Sequence, residues 1–210
     1  MKKLIAITAA IATLVTMKAN ATVTVALDAL DVLNAASALA PQGTVGLMIV
    51  DKSGDGITNG PLTAGGSIAN GQTFGGSDNV IVGNITIAGT SAQDGWLAWS
   101  AAWAIPSGVS GASRIAIVWL PDQAGNQSTL AAGAYGWFSD ASGTYSTAWV
   151  VPADGATVTY DMTTVSEGGS VPDAFGVANH TINAIPEPST VALVGLGLVG
   201  MVGMIRRRRS

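Results

Sequence analysis

The sequence SRIAIVWL at residues 113–120 is the strongest strand signal in the chain. Its branched aliphatic and aromatic side chains favour an extended strand, and Pro121 is expected to end that strand. Further runs of the same kind recur along the chain and predict additional strands. These runs lie at residues 45–50, 79–88, 134–138, 145–151, 156–164 and 177–182.

Turn-forming dipeptides lie between these runs and indicate how the strands connect. Asx-Gly pairs favour tight turns, because Gly and Asn adopt a positive φ at low cost. Such pairs include Asp55-Gly56, Asn59-Gly60, Asn70-Gly71 and Asp154-Gly155. Short strands at regular spacing with such turns predict an all-β fold, specifically an antiparallel β-sandwich or jelly roll.

Two stretches depart from the strand pattern. Residues 25–39 are rich in Ala and Leu and are open to two interpretations, a helix or a strand followed by a loop. Residues 165–172 contain Glu-Gly-Gly-Ser-Val-Pro, which breaks the periodicity and predicts a linker. We expect one domain over residues 22–184, which is long enough to bury a core.

The distribution of charge excludes one class of partner. Lys52 and Arg114 are the basic residues of the 22–184 segment, against twelve acidic residues, so its net charge is −10. A surface of this sign repels phosphate backbones, so binding to nucleic acid is not expected.

The chain has no cysteine, which excludes disulfides and thiolate chemistry. Disorder is the competing interpretation of the Gly-rich composition, but six tryptophans and high hydrophobicity argue against it.

The N-terminus has the three parts of a signal peptide. Lys2 and Lys3 are followed by an uncharged run to residue 17, and Ala19-Asn20-Ala21 provides a small-x-small cleavage site. We therefore predict cleavage by signal peptidase after Ala21. The alternative is an uncleaved anchor helix, but the run is short for a membrane span.

The C-terminus combines an uncharged stretch with a basic end. Residues 190–205 carry no charge and are followed by Arg206, Arg207, Arg208 and Arg209. As a transmembrane helix this stretch would span about 24 Å, somewhat less than the roughly 30 Å hydrocarbon core, a mismatch that bilayer thinning and arginine snorkelling reduce. The arginines would lie in the cytoplasm by the positive-inside rule, with residues 22–184 on the opposite side.

Pro186, Glu187 and Pro188 precede this stretch, and residues 185–209 together resemble a PEP-CTERM sorting signal. The resemblance implies that the three residues are the recognition motif of an exosortase, a membrane-embedded cysteine transpeptidase. It also implies that Arg206 to Arg209 hold the helix in register. An ordinary single-span anchor is the alternative, but such an anchor has no reason to carry Pro-Glu-Pro at the membrane surface. The middle of the chain resembles other small ectodomains of this class, through its Asp/Gly loop and the turn at residues 149–155.

A candidate metal site lies directly after the predicted strand 45–50. Asp51, Ser53 and Asp55 place oxygen ligands at positions 1, 3 and 5 of a loop with Gly56 at position 6, as calcium loops do. Position 12 is Leu62 instead of a bidentate Glu, which leaves such a cage open. The alternative is an Asx-rich turn without a metal. No other cofactor is expected.

Trp96, Trp99 and Trp103 form a candidate carbohydrate-binding row. Their spacing would align them on a helix, whereas in a strand Trp96 and Trp99 would point to opposite faces. Flat aromatic rings stack on sugar faces, so exposed tryptophans would favour a carbohydrate-binding module. Core packing is the alternative that we favour, since tryptophan buries a large area in small β-domains.

The sequence contains no motif that predicts catalysis. His180 is the sole histidine, and we expect it to be structural, since hydrolytic triads need a base with partners. The leading expectation is a non-enzymatic surface or extracellular-matrix protein with a structural or adhesive role. Alternatives are a carbohydrate-binding module of an extracellular polysaccharide and a carboxylate-based hydrolase. Expected partners are signal peptidase, exosortase and the membrane, with the mature protein at the cell surface or outside the cell.

Overall fold

The computed structural model describes residues 22–57, 62–86, 94–105, 108–111, 113–125 and 127–185. The predicted signal peptide with Ala19 and Ala21, the Pro186–Glu187–Pro188 motif, the 190–205 helix and the four arginines lie outside these residues. Within the described ranges, no helix has the length and apolar character needed to cross a bilayer.

The described part of the chain is built from nine strands and two short 3-10 turns at Val165–Glu167 and Asp173–Gly176. The strands are β1 (Thr22–Leu30), β2 (Thr44–Asp51), β3 (Leu62–Thr63), β4 (Asn79–Thr86), β5 (Leu97–Ala104), β6 (Arg114–Ala124), β7 (Gly133–Phe138), β8 (Thr157–Thr163) and β9 (His180–Asn183). The predicted β class is therefore confirmed.

The strands form two sheets. One has three strands in the order β5-β1-β8, and the other has six strands in the order β3-β9-β7-β6-β2-β4. The pairs β1–β8 and β3–β9 are parallel, so the prediction of an antiparallel sandwich or jelly roll does not hold for these two pairs. A parallel pair needs a long crossover connection, and β1 and β8 are separated by most of the domain.

The two sheets share one hydrophobic core, which is the packing expected of a sandwich. Val25 and Leu27 of β1 and Tyr160 of β8 lie in the same cluster as Met48 of β2 and Trp119 of β6. Strand β1 alternates buried and partly buried residues, because one of its faces covers this core.

The opposite face of the six-stranded sheet is also buried. It contributes the alternate residues of β2 and β6 to a second core cluster, including Leu47 and Val118. The segment between β2 and β4 covers this face with Ile57, Ile68 and Phe74. Strand β2 is buried at every position for this reason, which explains its continuous apolar sequence.

Strand β6 continues past Pro121, so the prediction that this proline ends the strand was wrong. The pairing of β6 with β2 shifts in register between Leu120 and Ala124, where residues 121–123 form an irregularity in the ladder. Proline is tolerated at such a bulge, because no ladder hydrogen bond is required of its missing N–H.

Two further predictions are decided by the structure, and one strand was missed. Residues 25–39 form β1 and a following loop, so the strand interpretation holds, because β1 finds strand partners on both edges. Residues 145–151 form a loop with an isolated bridge from Arg114 to Val150 instead of a strand. Strand β5 was not predicted at all.

The predicted linker at residues 165–172 is a packed turn. Val171 is buried, and its N–H donates to the carbonyl of Thr163, so the segment folds back on the end of β8. A Cβ on Gly169 would lie 2.0 Å from the Thr163 carbonyl oxygen, so this close approach requires glycine. The broken periodicity thus marks a tight turn of the folded domain.

Candidate functional site

The acidic loop consists of Asp51, Ser53, Asp55 and Asp78 and lies where β2 ends. Asp51 is buried, and its Oδ1 accepts a hydrogen bond from the N–H of Gly54 at 2.8 Å. Its Oδ2 accepts from the N–H of Gly56 at 2.9 Å. Both oxygens of Asp51 therefore hold the turn that follows the strand, which is the structural use of an Asx side chain.

Asp78 joins this loop from a distant part of the sequence. Its Oδ2 accepts a hydrogen bond from the Ser53 hydroxyl at 2.5 Å, and the same hydroxyl lies 3.2 Å from Asp51 Oδ1. Asp78 was not predicted from the sequence as part of this loop. Strand pairing brings it here, since Asp51 lies opposite Asn79, the first residue of β4.

The acidic loop has part of the chemistry of a calcium site. Asp51, Asp55 and Asp78 each offer a carboxylate oxygen, and these oxygens lie within 4.8 Å of one another. Oxygen ligands of this kind suit a hard cation. Leu62 is buried in the second core cluster and supplies no ligand. Calcium binding stays a prediction, because the hydrogen bonds within the loop account for the position of Asp51 without a metal.

The structure does not bring Trp96, Trp99 and Trp103 into one exposed row. Trp96 precedes β5, and its indole N–H donates to Asp28 Oδ1 at 2.6 Å. Trp99 packs against the shared core, and Trp103 is buried within it at 8% exposure. Trp99 and Trp103 therefore belong to strand β5 and pack on the core, and Trp96 lies directly before that strand.

A second candidate site, the aromatic cleft, was not found from the sequence. It has a volume of about 200 Å³ and lies at the end of β7. Its walls are formed by Trp137, Phe138, Ser139, Tyr145, Ala174, Phe175, Val177, Asn179 and His180. No short motif joins these residues, so the sequence alone carries no signal that groups them.

The cleft exists because two neighbouring strands differ in length. His180, the first residue of β9, pairs with Tyr135 of β7. Strand β7 continues to Phe138, three residues further, where β9 no longer pairs with it. The 3-10 turn at Asp173–Gly176 packs beside this free edge and completes the cleft.

Ring contacts set the shape of the cleft. The ring centroid of Phe175 lies 5.9 Å from that of Phe138 in an edge-to-face contact, and 5.9 Å from that of Tyr145 in a tilted contact. Phe175 is nevertheless 45% exposed. On the other side, His180 stacks on Tyr135 at 5.1 Å and lies 6.4 Å from Trp137. The sole histidine therefore lines the cleft as one of several rings.

Asp140 holds the loop that carries Tyr145 to the cleft. Its Oδ2 accepts hydrogen bonds from the N–H groups of Tyr145 at 2.6 Å and Ser146 at 3.1 Å, and its Oδ1 accepts from the N–H of Thr144 at 2.8 Å. Burial by itself raises the pKa of Asp140. These hydrogen bonds, with one from the Ser142 hydroxyl, outweigh burial and lower the pKa below its usual value.

The sorting segment begins directly after this folded domain. Strand β9 ends at Asn183, and Ala184 and Ile185 are exposed. Ile185 lies beside Gly65, close to the edge where β3 pairs with β9. Pro186 therefore follows the last strand after only two residues.

Comparison with known families locates the same segment. Residues 184–209 match the PEP-CTERM protein-sorting motif, which confirms the resemblance drawn from the Pro-Glu-Pro, uncharged stretch and arginines. No curated protein and no solved structure gave a match to this chain. The chain is thus a protein with a PEP-CTERM sorting motif, and this motif indicates exosortase-dependent sorting to the surface.

Proposed function

We propose that the folded domain is a non-enzymatic part of the cell surface or extracellular matrix, with a structural or adhesive role. The observation that carries the proposal is the sorting motif at residues 184–209, which follows the last strand of a β-domain almost directly. The cargo of the sorting motif is therefore the folded domain that precedes it. A rigid β-domain at a surface is suited to presenting contacts, since its loops stand on a fixed scaffold.

The proposed route to the surface has three steps. The N-terminal segment takes the chain through the export channel and is removed after Ala21. Residues 190–205 then halt the chain in the membrane, with Arg206 to Arg209 on the cytoplasmic side. Exosortase finally acts near Pro186–Pro188, which separates the domain from its anchor and leaves it at the surface or in the matrix.

The two rival functions draw less support from the described geometry. A carbohydrate module based on Trp96, Trp99 and Trp103 would need exposed rings, whereas Trp103 is buried and Trp99 packs on the core. A carboxylate-based hydrolase would need two free carboxylates across a substrate. In the acidic loop, both oxygens of Asp51 already accept backbone hydrogen bonds.

Intact-mass measurement of the protein recovered from cells tests the route. We expect the mature chain to begin at Thr22 and to end close to Pro188 in a strain with its exosortase. In a strain without the enzyme, the chain should keep Arg206 to Arg209 and stay with the membrane fraction. Retention of the arginines in both strains would contradict processing.

Two variants sharpen this experiment. Glu187→Ala removes the charged centre of the motif and should give the unprocessed mass even when exosortase is present. Ser189→Ala changes the residue directly after Pro186–Glu187–Pro188 and should be processed like the wild type. Cell-to-cell or cell-to-surface adhesion, measured with both variants, then tests the role: adhesion should fall with Glu187→Ala alone. Equal adhesion in both would count against an adhesive role.

A further inference from the structure

We infer that the aromatic cleft binds a single neutral sugar ring of a glycan. This inference rests on the proposed adhesive role and names the ligand class for it. It concerns Trp137, Phe175 and His180, which lie far in sequence from the tryptophan row considered above.

The rings offer flat apolar faces at a solvent-accessible position. Phe175 is 45% exposed, and Tyr145 and Trp137 are partly buried. A single exposed apolar residue is common on a protein surface, but Phe175 contacts Tyr145 and shares the wall of one cleft with Trp137. Contiguous apolar surface of this kind marks interaction sites. The C–H groups on one face of a sugar ring make favourable contacts with such aromatic faces.

The polar groups of the cleft suit hydroxyl groups. Asn179 is exposed at the rim and has both an amide donor and a carbonyl acceptor. His180 adds an imidazole, and Ser139 adds a hydroxyl that already donates to the Ile115 carbonyl at 2.7 Å and can still accept. A few polar groups among aromatic walls are the usual composition of a site that orients a small polar ligand.

Charge favours a neutral ligand. Among the residues that the structure describes, none that lines the cleft is Asp, Glu, Lys or Arg, so these residues offer no ion-pair partner to a charged ligand. The surrounding domain carries a net charge of −10 over residues 22–184, which repels polyanions. A neutral hexose unit meets both conditions, whereas a uronic acid polymer or a phosphorylated ligand meets neither.

Size limits the ligand to about one ring. The cleft encloses about 200 Å³. Pockets for drug-sized ligands enclose roughly 300–1,000 Å³, so this cleft accepts a single ring, and the rest of a chain would extend into solvent. A binding site of this size contacts one sugar unit of a polymer. Many copies of the protein at a surface could then each bind the polymer weakly and together hold it firmly.

The cleft is held in shape before any ligand arrives. Asp140 fixes the backbone that leads to Tyr145, and Phe175 packs between Phe138 and Tyr145. Trp137 and His180 belong to paired strands of the six-stranded sheet. A preformed site loses little conformational freedom on binding, which raises affinity for a small ligand.

Titration of the processed protein recovered from cells tests the inference. The probes are cellohexaose, maltohexaose and chitohexaose, with polygalacturonate as the charged comparison. We expect at least one neutral hexamer to bind and to change the tryptophan fluorescence. Trp137→Phe should remove most of that signal change, because Trp137 is the one tryptophan in the cleft wall.

Matched variants separate the cleft from the rest of the surface. Phe175→Ala and Asn179→Ala should each weaken binding by about tenfold, the loss expected for one ring contact or one good hydrogen bond. Leu39→Ala is the control, since Leu39 is 46% exposed, almost equal to Phe175, and does not line the cleft. It should bind like the wild type.

Four outcomes would overturn the inference. They are no binding of any neutral hexamer at millimolar concentration, preference for polygalacturonate, equal weakening by Leu39→Ala and Phe175→Ala, or a dimer in sedimentation that Phe175→Ala dissociates. The last result would assign the cleft to a second copy of the chain. If cells still adhere while the hexamers fail to bind, the adhesive role stands and the glycan inference alone is lost.

Discussion

At the scale of single residues, Asp140 is the clearest link between local chemistry and the candidate site. Its buried carboxylate accepts three backbone hydrogen bonds and one from Ser142, and these set the course of the loop to Tyr145. Local sequence gives a reason for this, because Asp-Ala-Ser-Gly is a turn sequence. It gives no reason for the packing of that loop against Phe175, which depends on tertiary contacts.

The lowered pKa of Asp140 predicts how stability depends on pH. A carboxyl group with a folded pKa below its unfolded value of about 3.9 stabilises the fold above that value, and the contribution is lost as the pH falls through the folded pKa. We therefore expect wild-type stability to drop below about pH 4 more steeply than that of Asp140→Asn. Chemical unfolding at a series of pH values between about 2 and 7, a range that spans the carboxyl pKa values, measures the free energy of unfolding of both proteins.

Asp173 serves as the internal reference for this comparison. A hydrogen bond from the Ser166 hydroxyl, with another from its N–H, lowers the pKa of Asp173, and this group is present in both proteins. At pH 7, Asp140→Ala should also cost about 1–3 kcal/mol, because it leaves backbone donors unpaired. Identical pH profiles for wild type and Asp140→Asn would show that the loop does not depend on this charge.

At the scale of elements, strands β6 and β7 contain a glycine that leaves room for a neighbouring tryptophan ring. Gly136 lies opposite Trp119 in the ladder, and a Cβ at Gly136 would lie 2.1 Å from Cζ2 of the Trp119 ring. Trp119 is fully buried, and its indole N–H donates to the Leu33 carbonyl at 3.0 Å. The ring therefore has no room to move away from an added methyl group.

Gly136→Ala should consequently destabilise the protein by about 1–3 kcal/mol or more, the usual cost of overpacking a core. Thermal unfolding measures the loss. Gly66→Ala is the matched control, since a Cβ there meets no atom within 4 Å and the position has no positive φ. The control should stay within about 0.5 kcal/mol of the wild type. Similar losses in both variants would contradict the role of the Trp119 contact.

Strand β5 explains why the tryptophan spacing was ambiguous. Trp99 and Trp103 are four residues apart, a distance that places side chains on one face in a strand as well as in a helix. The strand was missed because its sequence, LAWSAAWA, has small residues and weak β propensity. Pairing with β1 at eight positions stabilises the extended conformation in spite of this weak propensity. Tertiary pairing, and not local sequence, therefore makes this segment a strand.

At the scale of the whole molecule, the predicted cleavage site coincides with the start of the fold. Thr22 begins β1, and its backbone nitrogen donates to Asp154 Oδ1 at 2.9 Å. Cleavage after Ala21 would convert this nitrogen into a charged ammonium group. The hydrogen bond would then become an ion pair between the new N-terminus and the turn before β8.

This ion pair predicts a salt-sensitive contribution to the stability of the processed protein. Asp154→Asn should lower the free energy of unfolding by about 0.2–1 kcal/mol at low salt, as exposed pairs do, and by less at 1 M salt. Thermal unfolding at both salt concentrations measures this. Glu167→Gln, an exposed acid elsewhere, should change little. An N-terminus other than Thr22, or no salt dependence, would contradict the pairing.

Local patterns in the sequence were enough for the β class and for the sorting segment. Alternating or continuous apolar runs report directly on strand burial, as in β2 and β6, and the Pro-Glu-Pro, uncharged stretch and arginines are contiguous. Long-range pairing lay beyond such patterns. The parallel contact of β1 with β8, the arrival of Asp78 at the acidic loop and the aromatic cleft each join residues far apart in the chain. Each of these contacts depends on which strand edges are still unpaired and which apolar faces are still exposed once the strands have formed. Several strands could pair with the same edge, and only packing of the complete core selects one of them.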